Sequence, residues 1–176
     1  MDEEVGAGAL IVTARFDGPA QHHFQAMRDR YFPPERNMVP AHCTLFHKLP
    51  GARLDDLIDA LEAARPGRPP LVSVTGILPF RTGGAYRIEC ESLRDIRAHV
   101  ADVFADDLTR QDSQPWRPHV TFQNKADPDT AARTLRQVER NFEPFTTTLE
   151  GIDIWYWRGG PWEHAATVPL GALPQP

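Results

Sequence analysis

Cysteine is scarce in this chain. Cys43 and Cys90 are the only two in 176 residues, too few for a disulfide framework, so a reducing compartment, the cytoplasm, is the expected setting. Long apolar runs are missing as well: nothing approaches the ~20 residues that a membrane-spanning helix needs. The opening MDEEVGAGALIV is acidic, and its apolar stretch is too short for a secretion signal. Positive charge is in deficit, with 19 Lys and Arg against 24 Asp and Glu and a net charge of −5. A protein that coats long nucleic acid needs a basic surplus to neutralise phosphates, so the balance argues against that class. A nucleotide or one RNA terminus needs only a few local cations. No Gly-x-x-x-x-Gly-Lys loop is present, which gives no support to kinases or ATP-driven ligases of that type. What is there, 41% apolar and 24% charged, is ordinary globular material of a size for one domain.

Hydrophobic periodicity divides the chain into two similar halves. ALIVTARF, residues 9 to 16, reads as a strand, ended by Gly18-Pro19. Residues 20 to 31 place Phe24, Met27 and Tyr31 at helical spacing. VPAHCTLFHKLP then reads as a strand, followed by a helix on Leu54, Leu57, Ile58 and Leu61 and a strand from Leu71 to Phe80. The order repeats: a strand at 85 to 91, a helix from Leu93 to about Leu108, a short strand at 119 to 123, and a helix opened by Asp127 as N-cap with Pro128 in its first position. Strands at 145 to 157 and 163 to 170 close the chain, joined by the turn RGGP. The expectation is an α+β fold with two pseudo-symmetric lobes, each an antiparallel sheet with helices, facing each other across a central cleft. The lobes would run roughly over 1–75 and 76–176, intertwined in a single domain.

Each half carries one short strand with the same grammar: His42-Cys43-Thr44-Leu45 and His119-Val120-Thr121-Phe122. Composition alone predicts roughly 0.5 His-x-Thr triplets in a chain like this, and both that occur fall in equivalent slots. Alternate side chains on a strand share a face, so each histidine points with its threonine while the residue between packs inward. Imidazole titrates at ~6.5, so near neutral pH one histidine can act as base while another acts as acid. In-line attack on a phosphodiester needs both, one on the nucleophile and one on the leaving oxygen. The threonine hydroxyls can donate to the non-bridging oxygens where charge develops. The scheme requires no metal and no cofactor, and it implies a bell-shaped pH dependence.

The pair AHCTLF and PHVTFQ, in a chain of this size, resembles the 2H phosphoesterase superfamily, and within it the bacterial 2′-5′ RNA ligase and cyclic phosphodiesterase group. The order of elements is similar over nearly the whole chain. The resemblance implies a bilobal fold with the histidines lining the cleft, His42 and His119 as acid and base, and Thr44 and Thr121 holding the phosphate. It implies hydrolysis of 2′,3′-cyclic phosphates, usually to a 2′-phosphate, and for some members cleavage or joining of 2′-5′ linkages. A non-catalytic protein that holds a nucleotide or RNA end in the same cleft is the competing reading. The simplest assembly is a monomer.

Further candidates follow from alternation and composition. Phe46 and Lys48 continue the face of Thr44, and Gln123 and Lys125 that of Thr121, which puts both lysines at a cleft rim where they steer anions. Tyr156, Trp162 or Phe80 can wall a nucleobase, and Arg15, Arg81, Arg87 and Arg117 can pair with phosphate; sequence does not choose among them. A zinc site on His42 and His47 is disfavoured, because five residues apart on a regular strand they face opposite ways. By the same alternation Cys43 turns away from the cleft, against a role as nucleophile.

Overall fold

The computed structural model describes residues 8–171; the acidic opening lies outside the described residues. The element order is β1 (Ala9–Phe16), α1 (Gly18–Tyr31), β2 (Cys43–Pro50), α2 (Leu54–Ala63), β3 (Leu71–Phe80), β4 (Gly83–Glu89), α3 (Glu91–Val103), β5 (His119–Gln123), α4 (Pro128–Asn141), β6 (Phe145–Trp157) and β7 (Glu163–Pro169). Short 3₁₀ turns at Pro34–Arg36, Gly51–Arg53 and Ala105–Asp107 complete it. The periodic segments are therefore where hydrophobic spacing put them, with ends displaced by a few residues. The largest displacement is at α3, which stops at Val103, with a separate 3₁₀ turn after it.

All strand pairs are antiparallel, in the order β2-β1-β6-β3-β4-β5, with β7 added to β6. The 13-residue β6 joins the two lobes. Its first residues, Phe145 to Thr148, pair with β3, whereas Leu149 to Trp157 pair with β1. One lobe is thus β2-β1-β6-β7 and the other β3-β4-β5 with the start of β6, so strands from both ends of the chain meet in the first. The terminal strands β2 and β5, which carry the two motifs, come within contact distance of each other.

Helices cross between lobes. From the first half, α1 packs on β5 of the second lobe, and the carbonyl of Tyr31 at its end accepts from Gln123 Nε2 at 3.1 Å. From the second half, α3 reaches β2, where Arg97 Nε donates to the Leu45 carbonyl at 3.0 Å. This exchange buries Phe24 of α1 beside Tyr86 and Phe145 and continues one apolar core through both lobes. Two helix starts, those of α1 and α4, are capped by aspartates. Asp17 accepts from the Ala20 N–H at 2.9 Å and also ties α1 to β6 through Thr147 Oγ1 and the Thr148 N–H. Asp127 caps α4 through the Thr130 N–H at 2.9 Å, with Pro128 in the first turn.

Neither motif strand keeps strict alternation. In β2, Thr44 pairs with Thr13 and Phe46 with Val12, leaving Leu45 as an extra residue. In β5, Thr121 pairs with Ala85 and Gln123 with Gly84, leaving Phe122 extra. A β-bulge therefore follows each motif threonine directly. Its signature is two consecutive buried residues, Leu45-Phe46 and Phe122-Gln123. Gly83 accommodates the second bulge, because a Cβ there would run into the Gln123 carbonyl oxygen.

Candidate active site

A cavity of about 560 Å³ lies where β2 and β5 approach, and His42, Thr44, His119 and Thr121 all line it. The local chain fixes both imidazoles in the same way. His42 Nδ1 is 2.7 Å from the Pro40 carbonyl and His119 Nδ1 is 2.6 Å from the Arg117 carbonyl, each two residues back. A carbonyl only accepts, so both rings carry their proton on Nδ1 in the neutral form. That leaves both Nε2 atoms free, the nitrogen that a base uses to take a proton and an acid uses to give one.

The segment before His42 is clamped from α1. Gln25 and Gln21, one turn apart, hold the two sides of the Ala41 residue: Gln25 Oε1 accepts its N–H at 2.7 Å and Gln21 Nε2 donates to its carbonyl at 2.8 Å. Buried Arg28, on the same helix, donates to Asn37 Oδ1 at 2.8 Å and stacks over Phe32. Burial pushes the His42 imidazole down to about 4, against the pull of the Pro40 carbonyl, and the nearby Arg28, His119 and His47 push it the same way. His42 is therefore neutral at pH 7. Aromatic rings flank both histidines, Trp162 at 5.0 Å from the His42 ring and Phe80 at 5.8 Å from His119.

The two lobes are stitched across the cleft by contacts to β2. Trp116 Nε1 donates to the Thr44 carbonyl at 2.9 Å, and the Asp112 carboxylate, whose own carbonyl accepts from Arg97 Nη2 at 2.8 Å, accepts the Lys48 N–H at 3.0 Å. The His119 backbone N–H points at the Cys43 sulfur, and burial pushes that thiol up to about 12. Cys43 is a buried packing group that faces away from the cleft, as alternation required.

Sequence reasoning missed a third constellation. The bulge at Leu45 turns Phe46 into the core and returns His47 to the cavity side, so His42 and His47 line the same cavity. The expectation that they face opposite ways, and that Phe46 shares the face of Thr44, is corrected by that bulge; a second register change at His47-Lys48 leaves Lys48 exposed but outside the cavity lining. The same reasoning corrects Gln123, which is buried and donates to Tyr31 and Thr134. His47 Nδ1 lies 3.0 Å from Asp112 Oδ1, and the Asp112 carboxylate also accepts the backbone N–H groups of His47 and Lys48. Among the described residues no group of three or more His, Cys, Asp or Glu has the geometry to hold a metal. The one available signal for this region was the Leu45-Phe46 doublet inside an alternating run, which marks a bulge.

The weaker candidates divide. Trp162 and Arg117 line the cavity, together with Trp116 and Trp157. Lys48, Lys125 and Tyr156 are not among its lining residues. Both lysine side chains are exposed, Lys125 in a turn with φ of 60°, and Tyr156 packs against the core with the Arg158 guanidinium over its ring. Arg15 pairs with Asp153 at 3.3 Å.

A family model described as the 2′-5′ RNA ligase superfamily matches residues 16–161. Among solved structures, TT0787 of Thermus thermophilus is similar at a TM-score of 0.65 and 16% identity, over 93% of this chain and 98% of that one. E. coli LigT complexed with 3′-AMP gives 0.57 at 16% identity, over 92% and 97%. A crystal structure described as a phosphoesterase gives 0.58 at 14% identity, over 93% and 99%. At such identities these structures establish a shared fold. A search of curated proteins finds no match.

Proposed function

This chain belongs to the 2′-5′ RNA ligase superfamily, and from that premise we propose that it is a phosphoesterase that opens 2′,3′-cyclic phosphates of nucleotides or RNA ends by two-histidine acid–base catalysis. The observation that carries the proposal is the pair of imidazoles in one cavity, both held at Nδ1 by the carbonyl two residues back and both presenting a free Nε2 beside a threonine.

In the proposed reaction His42, neutral at pH 7, takes a proton from water at Nε2 as the water oxygen bonds to phosphorus. The bond from phosphorus to one ribose oxygen breaks, and His119, entering protonated, gives that oxygen its Nε2 proton. The product is a phosphomonoester with a free neighbouring hydroxyl, and the two histidines then exchange protons with solvent to restore the starting state. The hydroxyls of Thr44 and Thr121 donate to the non-bridging oxygens, where negative charge grows in the transition state. Trp162 beside His42 and Trp157 at the cavity wall offer aromatic faces for a base. That E. coli LigT, a protein of similar fold, forms a complex with 3′-AMP supports a nucleotide ligand, and 2′-5′ linkages present the same phosphate chemistry.

The test is hydrolysis of the four nucleoside 2′,3′-cyclic phosphates in EDTA, with phosphorus NMR to identify the isomer formed. His42→Ala and His119→Ala are each expected to lose at least about 10²-fold in kcat. Turnover that survives both substitutions would overturn the mechanism. Tight binding without turnover by the folded wild type would make the protein a nucleotide binder instead.

A further inference from the structure

The cavity holds more cationic and hydrogen-bonding groups than one reacting phosphate uses. Three imidazoles and two guanidinium groups line it, against a single carboxylate, Asp112, in a chain whose net charge is −5. A 2′,3′-cyclic phosphate is a monoanion, and in the reaction above it is met by His42, His119 and the two threonines. His47 and Arg97 are left without a task in that chemistry.

Both are built rather than incidental. Asp112 is 2% exposed, and its carboxylate holds His47 by ring and by backbone, at 3.0 Å and 2.9 Å. With Nδ1–H committed to Asp112, Nε2 is the nitrogen His47 presents to a ligand. Arg97 commits Nε to the Leu45 carbonyl and Nη2 to the Asp112 carbonyl, and lies over the rings of Phe46 and Trp116. That locks the guanidinium in place and leaves Nη1 uncommitted. An anion between His47 Nε2 and Arg97 would be held by one fixed cation and one imidazole backed by a carboxylate, a charge-assisted arrangement. His47 follows Thr44 by three residues, so the two sites stand at most about 10 Å apart along β2.

Resting on the phosphoesterase reading above, we propose that His47, oriented by Asp112, and Arg97 form a second phosphate subsite in the same cavity. The preferred ligands then carry a phosphate besides the reacting one, either a 5′-phosphomonoester or the internucleotide phosphate of an RNA end. His47 is a specificity residue in this scheme and Asp112 a positioning residue.

Calorimetric titration tests it without requiring turnover. The probes are adenosine 3′-monophosphate, adenosine 3′,5′-bisphosphate and the dinucleotide ApAp, on the wild type and on His47→Ala. The His47 side chain is 47% exposed, so its removal leaves the fold intact. The wild type is expected to bind one or both of the two-phosphate ligands at least tenfold more tightly than the monophosphate. The ligand that gains identifies the source, monoester or internucleotide diester. In His47→Ala the advantage is expected to fall below about threefold. A wild type with no advantage, or a variant that keeps all of it, overturns the subsite. Failure to hydrolyse cyclic phosphates would sink the enzyme reading and leave this comparison of affinities standing on its own.

Discussion

Replacing Asp112 with asparagine should weaken the whole protein, and by more than removing the histidine it touches. Burial alone would raise the Asp112 carboxyl, yet hydrogen bonds from the His47 ring and from the N–H groups of His47 and Lys48 outweigh it and hold the group below 3.8. Beside the His47 ring, the largest single contributor to that lowering, the backbone makes three contacts to the carboxylate: the His47 N–H at 2.9 and 3.1 Å and the Lys48 N–H at 3.0 Å. Asparagine keeps one acceptor oxygen but turns an NH₂ toward one of those N–H groups. The loss is a charge-assisted bond, roughly 1.5–3 kcal/mol, plus a buried unsatisfied donor, roughly 1–3 kcal/mol. Because the two overlap, a total of about 2–4 kcal/mol is expected. His47→Ala removes only the ring contact of a half-exposed side chain, worth roughly 0–1 kcal/mol. Urea unfolding at pH 7, followed by tryptophan fluorescence and compared at constant m, measures both. The carboxylate stabilises above 3.8 and loses its contribution as pH falls through its lower folded value, so Asp112→Asn and wild type should converge near the acid end. Equal costs for the two variants, or less than about 0.5 kcal/mol for Asp112→Asn, would refute the idea that this carboxylate clamps the bulged end of β2.

The position of His42 gives a second expectation: with His42 as the proposed base, kcat/KM should show no fall between pH 7 and about pH 5, since that imidazole titrates at about 4. A fall with its midpoint near 6.5 would mean that another group is the base. The same shift acts on stability. The native state favours neutral His42, so the unfolded chain binds the extra proton between 6.5 and about 4 and stability declines as pH drops through that window. His42→Gln should remove that part of the slope, and an unchanged slope by urea titration at several pH values would count against it. Gly83→Ala should destabilise by about 1–3 kcal/mol, because its methyl group meets backbone at Gln123. Gly160→Ala, with open space around the added carbon, should stay within about 0.5 kcal/mol; similar thermal unfolding for both would show that the second bulge tolerates crowding.

The elements and the motif pair were legible in the sequence because each rests on a local rule. Periodicity found every strand and helix, the Asp-Pro start located α4, and the His-x-Thr repeat pointed to two strands that the fold brings to one cavity. What stayed hidden depends on pairing partners. Whether Lys48 or His47 faces the cleft is set by a register change against β1, and a one-residue slip moves a side chain to the other face. Asp112 lies 65 residues beyond His47, and Arg97 lies 52 beyond Leu45, on a loop and a helix with no spacing rule to link them to β2.

The bulges also explain how two similar halves yield an asymmetric site. Each half has the same histidine, threonine and extra residue, yet five positions past the histidine one strand carries His47 and the other Asn124. His47 is held by a carboxylate from the opposite half and lines the cavity. Asn124 turns its Oδ1 to Thr82 Oγ1 at 2.7 Å and to the Lys125 N–H, closing a local turn. A pseudo-symmetric scaffold therefore brings two imidazoles to one cavity, while the divergence at this single equivalent position adds a further imidazole, held by a carboxylate, on one side only. A cyclic phosphate has inequivalent neighbours, a base on one side and a chain or a 5′ group on the other. In the proposed reaction, asymmetry of this kind is what the acid–base pair needs in order to bind such a substrate in one orientation, and so to choose which ribose oxygen leaves.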